Sequence, residues 1–174
     1  MSRLLCVALA VPAPLGPTLD RVRGLLHPDR QHMTAHITLT PPTRIDDAEV
    51  PGVVEAITEA CSTLEAVHIV LDGARTFTGR SRTVYLEVQA GADAVTRIQA
   101  ALTFGPFIAE GRPFHPHVTI VNRCAPVVLA AAERTFADFR AEFDVDAVTV
   151  FEHGADGWWP IAVAPLGAPG QRGS

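Results

Sequence analysis

The sequence predicts a mixed α+β fold in which strands and helices alternate through one domain. Three observations carry that prediction. Short Val-, Ile- and Leu-rich runs bounded by Pro or Gly recur along the chain and read as strands. Between them lie segments whose apolar residues stand three and four apart, the period of a helix. A tetrapeptide of alternating polar and apolar residues occurs twice, as His36-Ile37-Thr38-Leu39 and His117-Val118-Thr119-Ile120, and the copies lie about half a chain apart, the separation an internal duplication produces.

Arg3 to Val11 is the first strand, stopped by Pro12-Ala13-Pro14. Its apolar run imitates a secretion signal, but it is short, begins almost at Met1 and runs into two prolines, so a strand is the better reading. Pro17 to Leu26 forms a helix, with Leu19, Val22, Leu25 and Leu26 in phase and His27-Pro28 closing it. Ala35 to Thr40 is the strand of the first tetrapeptide. Asp46 or Asp47 caps a helix toward Glu65, with Pro51 in the first turn and Val50, Val53, Val54, Ile57 and Cys61 as its apolar stripe. Val67 to Asp72 and Thr83 to Val88 are strands, and residues 73–82 form a turn-bearing connection with Arg75, Arg80 and Arg82. Asp93 to Phe104 is a helix ended by Gly105-Pro106. Pro116 to Asn122 is the strand of the second tetrapeptide and Val127 to Phe139 a helix. Glu142 to Phe151 and Trp158 to Pro165 are the last strands, joined through Gly154 and Gly157. The order β-α-β-α-β-β-α-β-α-β-β places the two tetrapeptides in equivalent slots. No linker divides the chain, so residues 1–166 are expected as one domain and 167–174 as a flexible tail.

Composition narrows the function. Hydrophobic residues make up 48% of the chain and charged residues 19%, a balance of compact globules rather than disorder. No apolar run reaches the roughly 20 residues of a membrane span. The net charge of −5 argues against an extended wrap around nucleic acid and leaves a nucleotide or an RNA end as the admissible nucleic-acid partner. All 14 basic residues are arginines, a bias that genomic base composition explains better than selection for phosphate contacts. Cys6, Cys61 and Cys124 are odd in number and irregular in spacing, which suggests neither a disulfide framework nor a zinc site and fits a reducing cytoplasm.

The doubled tetrapeptide carries the chemistry. Side chains at i and i+2 of a strand share a face, so each His lies beside its Thr while Ile37, Leu39, Val118 and Ile120 point behind. Imidazoles exchange protons near pH 6.5, and two of them across a cleft can serve as base and acid. The Thr hydroxyls can donate to an oxygen held between them. A group with proton traffic on opposite sides and spare non-bridging oxygens is a phosphodiester, and the matching reaction class is metal-free phosphoryl transfer.

With these residues in view, the chain resembles the two-histidine phosphoesterase superfamily, in the branch of 2′-5′ RNA ligase-like and cyclic phosphodiesterase proteins. The likeness runs over nearly the whole length. Arg3 to Leu9 resembles the family's opening strand, His32 to Leu39 its first motif, Arg82 to Val88 the strand between, and Phe114 to Ile120 its second motif. The resemblance implies a bilobal α+β fold, with two similar lobes, each an antiparallel β-sheet flanked by helices, around a central groove. It implies metal-independent action, with no cofactor, on 2′,3′-cyclic phosphates or 2′-5′ linkages of nucleotides or RNA ends, with reverse 2′-5′ ligation. It carries over His36 and His117 as the acid/base pair and Thr38 and Thr119 as phosphate ligands. Two positions depart from the pattern. Relatives often place an Arg five residues after the second motif His, where this chain has Asn122 followed by Arg123, and Thr40-Pro41-Pro42 replaces an aromatic continuation of the first motif.

Other residues are weighed against their structural alternatives. His115 stands two before His117 and could share its face as a metal-ligand pair, but no carboxylate-His cluster completes a site, so it is expected at the groove entrance. Arg82, with Arg75 and Arg80, is a candidate for substrate phosphate. Phe77 and Phe114 are candidates to stack on a base, with core packing as the alternative. Trp158 and Trp159 alternate faces, so one is expected buried and the other at a rim or interface. His27, His32, His68 and His153 read as solvated or structural. The alternative to an enzyme is a non-catalytic nucleotide or RNA-end binding module using the same groove. An acyl hydrolase ranks last, since no Gly-x-Ser-x-Gly occurs. The expected state is a cytoplasmic monomer with no membrane association.

Overall fold

A computed structural model of the chain describes residues 1–28, 33–77, 82–108 and 113–167. His32, Arg80 and the tail from residue 168 onward lie outside the described residues. The elements are β1 Ser2–Ala10, α1 Leu15–Leu26, β2 His36–Thr38, β3 Thr43–Asp46, α2 Val50–Ser62, β4 Val67–Phe77, β5 Thr83–Ala90, α3 Ala92–Ala101, β6 His117–Asn122, α4 Pro126–Thr135, β7 Arg140–Val145, β8 Ala147–Gly154 and β9 Gly157–Pro165.

The nine strands form one sheet in the order β7-β4-β5-β6-β2-β1-β8-β9, with β3 added to β1. Every pairing is antiparallel. The order reads as two matching halves meeting at β6 and β2. In each half a motif strand is followed outward by three more strands, and a helix links the motif strand to its neighbour: α1 between β1 and β2, α3 between β5 and β6. The halves are joined at the pair Ile37↔Val118.

One face of the sheet carries the main core, which runs through both halves and takes in Leu5, Val7, Leu9, Ile37, Leu71, Leu86, Val118 and Val150 with α1 to α4 packed on it. On the opposite face Cys6, Ala8, Met33 and Phe151 form a smaller cluster, with Ala10 and Trp158 against it. β1 is thus apolar on both faces, which explains its unbroken hydrophobic run where a half-exposed strand would alternate.

Three boundaries differ from the sequence expectation. Glu142 to Phe151, read as one strand, is two. β7 ends at Val145 and pairs with β4, β8 begins at Ala147 and pairs with β1, and Asp146 is where the chain passes between halves. Asp146 and Ala147 interrupt the run of strand formers only briefly, too little to signal a change of partner. The segment after Asp72, read as a connection, continues β4 to Phe77. Gly73 at φ +68 lies within register shifts between Leu71 and Ala74, so it bulges the strand rather than turning it. Finally, β3 is a four-residue strand with one buried residue, Ile45, too short for an alternation signal.

Candidate functional site

The pair Ile37↔Val118 sets the site. Both side chains are fully buried in the main core, so their neighbours on β2 and β6 are turned to the other face. Continuing the antiparallel register by one residue on either side sets His36 against Thr119 and Thr38 against His117. All four motif side chains therefore share one face, as the two tetrapeptides predicted, and each is half-buried.

Each imidazole is oriented in the same way. His36 Nδ1–H donates to the Thr34 carbonyl at 2.6 Å and His117 Nδ1–H to the His115 carbonyl at 2.7 Å. A carbonyl only accepts, so in each neutral ring the proton sits on Nδ1 and Nε2 carries the lone pair. The repeated backbone bond leaves two like-oriented imidazoles with basic Nε2 atoms. Burial pushes the His36 pKa down to about 4, helped by the positive charge of Arg23 and by His117 and opposed by the Thr34 carbonyl and Asp20. Burial also lowers the pKa of His117, with His115 adding and its backbone bond opposing. Both rings are therefore neutral near pH 7.

The entry to β2 is braced from α1. Asp20 accepts the Ala35 N–H at 2.8 Å, the Thr34 hydroxyl at 3.0 Å and Arg23 Nη1 at 2.8 Å, while Arg23 Nη1 also donates to the Met33 carbonyl at 2.9 Å. This network fixes the loop that presents the Thr34 carbonyl to His36.

On one side of the motif residues lies a cavity of about 250 Å³ lined by His36, Thr38 and Thr119 together with Arg23, His27, Asn122 and Trp158. Cys6 also lines it, but burial pushes its thiol up to about 12, so it is a protonated thiol rather than a nucleophile at neutral pH. On the other side an aromatic cluster surrounds His117. Phe77 stacks on Tyr85 with centroids 4.0 Å apart, and His117 meets their rings edge-on at 5.1 and 5.2 Å. His115 joins the cluster at 5.4 Å from Phe77 and is exposed, as a residue at a groove entrance is.

Thus the structure gathers His36, His117, Thr38, Thr119, His115 and Phe77. Arg82 stands exposed just before β5 at the hairpin end and is not among the residues lining the cavity. Phe114 packs against the main core. Of the tryptophans, Trp158 is half-buried at the cavity and Trp159 is 39% exposed. Asn122 reaches the cavity lining, while Arg123 is exposed with a left-handed φ of 52°. Sequence reasoning missed Asp20, Arg23, His27 and Tyr85. The available signal was Arg23 itself, a charge four residues after Leu19 on the inward face of an amphipathic helix. Tyr85 carried none, since an aromatic in a strand reads as core. Among the described residues no group of three or more His, Cys, Asp or Glu is placed to hold a metal ion, and no helix is long and apolar enough to cross a membrane.

The antiparallel sheet that holds the two His-x-Thr strands at its centre is a fold shared with solved structures of LigT and of a phosphoesterase. The family model of the 2′-5′ RNA ligase superfamily matches residues 11–157, and the chain belongs to that superfamily. Among solved structures, ligand-free E. coli LigT matches with a TM-score of 0.71 at 18% identity, over 96% of this chain and 99% of that one. E. coli LigT complexed with 3′-AMP matches at 0.70 and 19%, over 95% and 99%. The protein TT0787 of Thermus thermophilus matches at 0.68 and 18%, over 95% and 99%. No curated protein sequence matches the chain. Identities this low establish a common fold.

Proposed function

We propose that this protein is a metal-independent phosphodiesterase acting on 2′,3′-cyclic phosphates or 2′-5′ linkages of nucleotides or RNA ends, with 2′-5′ ligation as the reverse direction. The observation that carries the reading is the Ile37↔Val118 pair, which sets two His-x-Thr motifs on one face with both Nδ1 atoms tied to backbone carbonyls. Superfamily membership and the fold shared with LigT, a protein solved with 3′-AMP bound, support it.

In this mechanism Nε2 of one His takes a proton from water as its oxygen attacks phosphorus. The bond from phosphorus to O3′ breaks, and Nε2–H of the other His protonates O3′, leaving a 2′-phosphate. Thr38 and Thr119 donate to the non-bridging oxygens. Both imidazoles start neutral; the bound anion raises the proton affinity of the ring that serves as acid, which takes up a solvent proton at Nε2 before the bond to O3′ breaks. Phe77 and His115 supply a surface for the base, and exposed Arg82 is left for a longer RNA end. Residues 1–166 act as one domain and as a monomer, in the reducing cytoplasm that the thiols of Cys6, Cys61 and Cys124 fit.

The test is turnover of a panel of 2′,3′-cyclic phosphates followed by phosphorus NMR, with EDTA present. We expect a 2′-phosphate product, a bell-shaped pH profile, and a loss of roughly 10²–10⁴-fold on His36→Ala or His117→Ala. Binding without turnover would replace the enzyme by a nucleotide-binding module, and activity abolished by EDTA would overturn the mechanism.

A further inference from the structure

We propose that Arg23, supplied by α1 rather than by either motif strand, is the cation that binds and charge-balances the phosphate in the groove; the proposal rests on the phosphodiesterase reading above. Arg23 is 5% exposed and lines the same cavity as His36, Thr38 and Thr119. Among the described residues lining that cavity it is the one with a permanent charge, since β6 contributes the neutral Asn122. Burying a guanidinium in a helix that needs only to pack is costly, and the paired Asp20 carboxylate offsets that cost only in part. A ligand of opposite charge gives that burial a use.

Asp20 pairs with Arg23 at 2.8 Å but is shared with other donors. Its oxygens are drawn to the Ala35 N–H and the Thr34 hydroxyl, at the loop before β2, while Arg23 reaches the cavity. At the His36 ring the cation outweighs the anion: Arg23 lowers the pKa more than Asp20 raises it. A positive field at the ring, beside two hydroxyls that donate hydrogen bonds, is what a phosphoryl group gathering negative charge requires.

The experiment titrates inorganic phosphate into the full chain while following the His36 and His117 ring resonances by NMR, alongside kcat/KM for a 2′,3′-cyclic nucleotide. Arg23→Gln is expected to weaken phosphate binding about tenfold or more, to lower kcat/KM by about 10²–10³-fold and to move the His36 titration upward. Arg23→Lys keeps the charge without the fork, and is expected to hold the His36 titration near that of the wild type and to recover most of the phosphate affinity. If both variants bind phosphate like the wild type, or both lose it equally with the His36 titration unmoved, Arg23 is only a brace and the proposal is wrong. Phosphate binding that depends on the charge at position 23, without turnover of any cyclic phosphate, upholds the assignment and removes the phosphodiesterase reading. A wild type that binds no phosphate overturns both.

Discussion

Protonation of His36 is the route by which acid is expected to weaken this fold. The ring's pKa is pushed down to about 4, by burial first and then by Arg23 and His117. In the unfolded chain the same imidazole takes up its proton near pH 6.5. Between those values the unfolded chain binds more protons than the folded one. Stability therefore rises with pH across the window, is fully present above about 6.5, and is lost as pH falls toward 4. At about 1.4 kcal/mol per pH unit the window amounts to roughly 3 kcal/mol, an upper figure because the groove edge of the ring still meets water. Against the roughly 5–15 kcal/mol of a typical domain this is a large share. His117, lowered in the same direction, adds to it. His36→Asn removes the titration yet keeps an N–H able to reach the Thr34 carbonyl. Urea unfolding of both proteins, at intervals between about pH 7 and 4, measures the difference, in which surface carboxylates common to both cancel. The wild type should lose roughly 2–3 kcal/mol more than the variant over that range. Parallel curves would refute the buried, neutral His36 on which the argument stands.

Three further outcomes follow from the same geometry. Thr38→Val or Thr119→Val keeps the strand and removes one donor to phosphate, so KM for a cyclic nucleotide should rise and kcat/KM fall by about tenfold, less than for either His; unchanged kinetics would take that Thr out of the site. Ile37→Ala empties a fully buried position at the junction of the halves and should cost about 2–5 kcal/mol in denaturant unfolding. Asp20→Asn leaves buried Arg23 without its carboxylate and slackens the loop before β2, which should cost roughly 3 kcal/mol and lower kcat, read by thermal unfolding and steady-state kinetics.

The two tetrapeptides were legible in the sequence because they are local. Alternation on a strand assigns His36 and Thr38 to one side and Ile37 to the other wherever the strand lies, and the same holds for His117, Thr119 and Val118. The helices were legible through their 3.6 period and their Pro or Gly stops. Strand partners were not: Asp146 and Ala147 make only a brief dip in β-propensity, yet Asp146 separates a strand paired with β4 from one paired with β1. Nor was the company that the motif residues keep. Tyr85 reads as an ordinary strand aromatic and Asp20 as a surface acid until β5 and α1 bring them to His117 and to the loop before His36.

By itself, then, the sequence determined that two His-x-Thr pairs exist and which way each side chain faces along its own strand, since those follow from the period of a few bonded residues. Only the tertiary structure decided that Ile37 would pair with Val118, that the two imidazoles would lie on one face of the sheet, and that Arg23 would line the cavity beside His36. Such pairings join segments far apart in the chain, and the hydrophobic burial that selects them is non-directional and depends on the whole core at once.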